Sequence, residues 1–166
     1  LSMLNASAPV VSNCTFGSAL YTPIAMSFEA DPTFSNNSFS FSDNQYDAIG
    51  LYGGTMTANA RVRVRAVTSY PNVTYVMLNS VTVPAGMTLT IDPGVVIKTI
   101  NNYYTVLNQF FVYGKIIAEG TAASPIVITS VKDDNYGQPQ DTNKDGSSTS
   151  PSVGDFGSLC FFQGST

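Results

Sequence analysis

A repeat near the start of the chain limits its fold more than any other feature. Pro9-Val10-Val11-Ser12-Asn13-Cys14-Thr15-Phe16 returns as Pro32-Thr33-Phe34-Ser35-Asn36-Asn37-Ser38-Phe39, so proline, serine, asparagine and phenylalanine recur at an offset of 23. A β-rich unit of that length cannot bury its own apolar face and must stack on a copy, which points to a solenoid. A short apolar run follows each copy, Ile24-Ala25-Met26-Ser27 and then Ile49-Gly50-Leu51-Tyr52. Each unit therefore reads as two or more short strands joined by polar turns. Asn13 and Asn36 would stand in register on neighbouring coils. They could bond along the axis as a ladder or satisfy turn backbone locally.

The composition agrees with an all-β chain. Of 166 residues only 11% are charged, where about 25% is typical. Glu29 and Glu119 are the only glutamates, and Val, Thr, Ser, Asn, Phe and Tyr dominate, so helix formers are scarce and strand formers abundant. A net charge of −4 excludes a nucleic-acid footprint, which needs basic charge against phosphate. The one basic cluster, Arg61, Arg63 and Arg65, alternates with Val62 and Val64 and reads as the outer face of a strand, with an anion or polysaccharide contact as the other reading. No apolar run approaches the ~18 residues of a membrane span. Leu1 has no basic segment before it, so no signal peptide is visible, and the chain reads as a mature or excised piece of something longer.

Three stretches differ in character: coils with the 23-residue repeat over 1–54, a bridging β segment over 55–80, and coils over 81–166. All belong to one continuous solenoid domain on this reading. From Val81 the pattern is strict alternation, with Met87, Leu89 and Ile91 pointing one way and Thr88 and Thr90 the other. Pro84-Ala85-Gly86 and Asp92-Pro93-Gly94 are turns. Residues 99–109 read as a lateral excursion. Turns every eight to ten residues without a helical period leave a sandwich, a barrel or a parallel β-solenoid. The acidic loop 132–155 breaks the alternation, and loops of that length in compact domains tend to be functional or disordered.

The stretch Tyr75-Val76-Met77-Leu78 … Val81-Thr82-Val83-Pro84-Ala85-Gly86-Met87-Thr88-Leu89-Thr90-Ile91-Asp92-Pro93-Gly94-Val95-Val96-Ile97-Lys98 resembles the opening coils of secreted bacterial right-handed parallel β-helix proteins. Val112–Thr121, Ser124–Ser130 and Gly154-Asp155-Phe156-Gly157-Ser158-Leu159 carry the resemblance on, although the family usually has Trp where Phe156 stands. The resemblance implies a right-handed parallel β-helix and a large surface or secreted protein, used as an adhesin, stalk or polysaccharide-binding scaffold. The wider fold includes pectate lyases and tailspike hydrolases, so the fold alone does not fix the function.

In such proteins the motif at 154–159 normally runs on into coils like those of 1–54, whereas here the order is reversed. The end, Leu159-Cys160-Phe161-Phe162-Gln163-Gly164-Ser165-Thr166, reads naturally into the start, Leu1-Ser2-Met3-Leu4-Asn5. The chain is thus expected to be one period of a head-to-tail array, with these residues at the interface and copies of itself as the partner. Cys14 and Cys160 lie too far apart along a stack for an intrachain disulfide. Across a junction they would be 20 residues apart, so the readings are an interchain contact or two free thiols.

Asp141-Thr142-Asn143-Lys144-Asp145-Gly146-Ser147 carries the best candidate site. Oxygen ligands at Asp141, Asn143 and Asp145, a glycine at the sixth place and a carbonyl at Ser147 suit a structural Ca²⁺ loop. The usual glutamate is missing, and Asp133, Asp134 or Asp155 would complete the shell. With no histidine there is no imidazole base or zinc–histidine site. Asp133 and Asp134 would point apart on an extended backbone, which speaks against a hydrolase pair. A lyase would need a base, for which Lys132 and Lys144 are the candidates. Tyr103, Tyr104, Tyr113 and Tyr136 could stack on sugars. The expectation is a structural module rather than an enzyme, with a polysaccharide-binding or polysaccharide-cleaving β-helix as the alternative.

Overall fold

The computed structural model describes residues 1–17, 19–39, 44–67, 70–102 and 106–166. The chain is all-β and winds as a parallel β-solenoid. Its first coil contains β1 (Ser2–Met3), β2 (Val10–Ser12) and β3 (Thr15–Phe16), and its second β4 (Ile24–Ser27), β5 (Thr33–Ser35) and β6 (Ser38–Phe39). The third contains β7 (Ile49–Tyr52), β8 (Gly54–Thr55) and β9 (Ala60–Val62), and the fourth β10 (Tyr75–Met77), β11 (Val81–Val83) and β12 (Thr88–Ile91). The fifth runs through β13 (Val96–Thr99), β14 (Asn101–Asn102), β15 (Val106–Leu107), β16 (Phe110–Val112) and β17 (Lys115–Ala118). The sixth holds β18 (Val127–Ser130) and β19 (Leu159–Phe161).

One six-stranded sheet, β1-β4-β7-β10-β13-β18, runs the length of the stack. Ser2, Ala25, Gly50, Val76, Lys98 and Thr129 occupy the same place in successive strands, 22 to 31 residues apart. The second sheet is β8-β11-β16-β19 and the third β9-β12-β17. In the first two coils the parallel pairs β2-β5 and β3-β6 form separate two-stranded sheets. The excursion after β13 is the antiparallel pair β14-β15.

The alternation read from Val81 is what fills the interior. Ile24, Ile49, Tyr75 and Ile97 stack in register, each no more than 1% exposed. Val81 meets Phe110, Val83 meets Val112, and Leu89 meets Ile116 across the other two sheets. Close stacking sets the glycine positions. A Cβ on Gly53 would lie 1.9 Å from the Ser80 carbonyl oxygen, and one on Gly157 1.9 Å from that of Asn108.

Asn13 and Asn36 are left-handed turn residues, with φ of 54° and 53°. The axial bond comes from the next residue instead. Asn37 accepts from the Cys14 N–H at 3.1 Å and donates to the Val11 carbonyl at 2.8 Å. Arginine alternation also ends early. β9 stops at Val62, so Val64 is exposed while Arg65 turns under the chain and donates to the Pro32 carbonyl at 2.5 Å.

Candidate functional site

The outer face of the six-stranded sheet ought to be solvated, yet Ala25, Val76 and Lys98 on that face are buried. Over Lys98 the cover is the acidic loop. It leaves β18, folds back as a strap over the outer face, and returns to β19. The strap crosses several coils and bonds to each. Thr74 N–H donates to the Gln138 carbonyl at 3.1 Å, and Gln138 N–H donates to Thr74 Oγ1 at 2.7 Å. Asp47 N–H donates to the Thr142 carbonyl at 2.9 Å. Farthest back, Lys144 Nζ donates to the Asn44 carbonyl at 2.6 Å and pairs with Asp47 at 3.1 Å. A second apolar cluster of Tyr46, Ala48, Val76 and Val131, with Leu78 and Ile100 against it, lies outside the main core.

Lys98 is the buried cation under the strap. It is 0% exposed, and its Nζ donates to the Gln140 carbonyl at 2.7 Å. Burial pulls its pKa down to about 8, while Asp134, Asp133 and Asp141 nearby oppose that fall.

The structure brings only some of the expected calcium ligands together. Asp134, Asp141 and Asp145 each offer a carboxylate oxygen, and the three atoms lie within 4.8 Å of one another. Burial, reinforced by the Asp141 charge, raises the Asp134 pKa. Asp134 Oδ1 and Asn143 Oδ1 are buried without a hydrogen-bond partner. Hard oxygens are the donors Ca²⁺ takes, but it takes about six to eight, so backbone carbonyls or water would have to complete a shell around these three carboxylates. Asp141 also accepts from the N–H groups of Asp145 and Gly146, and Asp145 from Asn143, Ser147, Ser148 and Thr149. Ser147 thus enters as an N–H donor to Asp145.

Asp133 and Asp155 are engaged elsewhere. Burial works against the Asp133 carboxylate, but hydrogen bonds from Thr129 and Asn135 hold its pKa below the usual value. Burial likewise opposes ionisation of Asp155, and the Lys132 ion pair at 2.9 Å with the Ser152 hydrogen bonds outweighs it. Lys132 and Lys144, the lyase-base candidates, are therefore both in ion pairs.

A shallow furrow of about 460 Å³ runs beside the third sheet, lined by Glu29, Asp31, Asn59, Arg61, Arg63 and Thr88 among others. Arg63 and Arg65 share Asp31 at 2.9 and 2.8 Å. The Arg63 hydrogen bond, with Arg65 behind it and against a burial penalty, holds Asp31 at about 2. Of the tyrosines, Tyr113 is stacked on Phe162 with centroids 4.2 Å apart, and Tyr136 is exposed on the strap. Tyr103 and Tyr104 lie outside the described residues.

The two ends of the stack differ. At the first coil Met3 points inward over Met26 and is 4% exposed, while Leu1 and Leu4 are exposed. At the sixth coil Leu159 stands over Phe110 and Phe161 over Val112. These are interior positions, yet Leu159 is 39% and Phe161 56% exposed, since no described strand stacks on them. Cys160, between them, faces the Ser158 hydroxyl at 3.0 Å.

The ends are also out of phase, which corrects the expectation that Phe162 to Thr166 reads straight into Leu1. Thr166 N–H donates to the Gly114 carbonyl and Ile116 N–H to the Thr166 carbonyl, both at 3.0 Å. Thr166 is therefore a rung of the third sheet beside β17, whereas Ser2 belongs to the first sheet. In the shortest coil the path from Thr88 to Lys98, which hold those two places, takes ten steps. A direct link would thus be eight residues too short. The cysteines fail to align for a similar reason. Cys160 matches Thr82, six residues past Val76 in the first sheet, and Cys14 lies twelve past Ser2 at the same starting place. Both are free thiols.

A family described as a pectate-lyase-like β-helix domain matches residues 54–139. That span is more than half of the chain, and the chain belongs to this family. No curated protein and no solved structure matches it.

Proposed function

We propose that the chain is a structural β-solenoid module of an extracellular or cell-surface assembly, a filament, stalk or adhesin, that stacks head to tail with identical units. The observation that carries this reading is the strap. Bonds from Gln138, Gln140, Thr142 and Lys144 to successive coils make the stack a splinted rod, and stiffness along an axis is what a spacer supplies. Secretion by a bacterium follows from the resemblance and belongs to the same proposal. Electron microscopy of the purified chain in millimolar calcium tests it. Filaments with an axial repeat of about 29 Å, six coils at ~4.8 Å each, are expected. Monodisperse single particles would overturn it.

Calcium at Asp134, Asp141 and Asp145 is part of this proposal, with the ion pinning the strap. It would offset the burial and the Asp141 repulsion that together raise Asp134. Added Ca²⁺ should raise the melting temperature by mass action, and Asp141→Asn should abolish that rise. A melting point indifferent to Ca²⁺ and chelator removes the ion from the reading. The second reading, a polysaccharide-binding or polysaccharide-cleaving β-helix, is favoured by the family description and by the furrow at Arg61 and Arg63.

A further inference from the structure

Resting on the end-to-end reading, we propose which edges meet: β18, with the apolar floor of Leu159 and Phe161, takes the first coil of a second copy, so that β1 of that copy extends the six-stranded sheet. The sheet itself supplies the first argument. Among the described residues β1 pairs with β4 alone and β18 with β13 alone, so each presents one edge that no described strand occupies. Ala25 N–H donates to the Leu1 carbonyl, and parallel strands alternate the side to which successive peptide groups point. The Ser2 N–H and C=O therefore face outward. Val127 and Val131 donate to Val95 and Thr99, which turns the Ile128 peptide groups to the opposite free edge. Joining them repeats the parallel pairing that the chain already makes between its own coils.

Charge is the second argument. Residues 1–28, 120–131 and 156–166 contain no Asp, Glu, Lys or Arg. Exposed strand edges are normally guarded by charged side chains. Here β1, β18 and β19 carry no charged side chain, so the charges at the ends are the Leu1 ammonium and Lys115 on β17, at the margin of the proposed contact. Size is the third. A coil of 22 to 31 residues matches the roughly 20–30 residues a side of a standard interface. Ile116 and Ile128, partly buried over Leu89 and Ile97, widen the apolar floor. A heterologous contact of this kind propagates without closing. A direct Thr166–Leu1 peptide bond would not satisfy it, since those residues are eight places out of phase.

Sedimentation of the full chain and two variants tests the pairing. Phe161→Lys places a charge on the floor, and Ser2→Pro removes the outward N–H of β1. Both residues are exposed, so circular dichroism should show an unchanged fold. Should Ser2→Pro fail to fold, Leu4→Lys at the same end replaces it. The wild type should form concentration-dependent oligomers, each variant alone should be monomeric, and an equimolar mixture should give a 1:1 dimer. If Ser2→Pro alone dimerises while Phe161→Lys does not, copies meet tail to tail and this pairing is wrong, although end association survives. A wild type that stays monomeric at high concentration overturns the end-to-end reading and the pairing with it.

Discussion

The flank under the strap and the open sixth coil solve the same problem in opposite ways. Both are outlying surfaces of a solenoid bearing apolar side chains. On the flank, Lys98 is 0% exposed under the strap, which accepts from its Nζ at the Gln140 carbonyl, and Val76 is 0% exposed in the cluster with Tyr46, Ala48 and Val131. At the sixth coil Leu159 and Phe161 occupy interior positions of the ladder and remain open. Apolar sequence therefore does not by itself say whether a position is buried. What decides is whether the next layer comes from the same chain.

The largest expected effect sharpens the contrast between interior and end. Gly53→Ala and Gly157→Ala would each drive a Cβ to 1.9 Å from a backbone oxygen. Coils lie on both sides of Gly53, so the clash cannot relax, and a loss of about 3 kcal/mol or more is expected. Gly157 belongs to the last coil, which can lift, and less than about half that loss should appear. Denaturant unfolding checks both, and equal losses would mean that the sixth coil is as firmly held as the interior.

A similar contrast applies to the aromatic core. Phe110→Ala should cost about 3–5 kcal/mol, because Phe110 is 1% exposed and packs edge-on against Phe28 at 6.1 Å. Phe161→Ala, one coil further on, should cost the monomer under about 1 kcal/mol, as expected for an exposed position. A large loss at Phe161 in monomer would show that the end is already covered.

The smallest effect probes the flank. The folded Lys98 pKa of about 8 lies below the ordinary lysine value of 10.5. Between these values the unfolded chain binds more protons, so stability rises with pH across that window. The cost of burying the charge is present below pH 8 and disappears towards pH 10.5. Wild type should gain about 1–2 kcal/mol over this interval relative to Lys98→Met. Parallel pH profiles of the two would mean that the lysine reaches water under the strap.

Much of the ladder was legible because strand alternation is a local signal. Ile24 to Ser27 and Ile49 to Tyr52 read as strands and are β4 and β7. Met87, Leu89 and Ile91 share a face, as their spacing requires. Of the two readings open for Asn13 and Asn36, the turn is the one the structure shows; the axial bonds of Asn37 were not legible, since the repeat gives no weight to a residue that matches Cys14 in the other copy. The strap's path was not legible. A polar segment has no periodicity, and its partners Asn44, Asp47 and Thr74 lie some 64 to 100 residues away in sequence. For the same reason the spacing of the Asp141 loop pointed to Asp141 and Asp145 but could not choose Asp134 over Asp133 and Asp155.

A stack of repeats ordinarily behaves as a row of dominoes, each piece coupled only to the next, so that the ends fray independently. Here the tie from Lys144 to Asn44 joins a segment rooted in the sixth coil to the turn that closes the second. Lifting the last coil strains the strap, and losing the early coils releases its far anchor. Hydrogen exchange should then report one shared opening event for residues near Asn44 and Lys144, in place of a gradient of protection that falls away separately from each end.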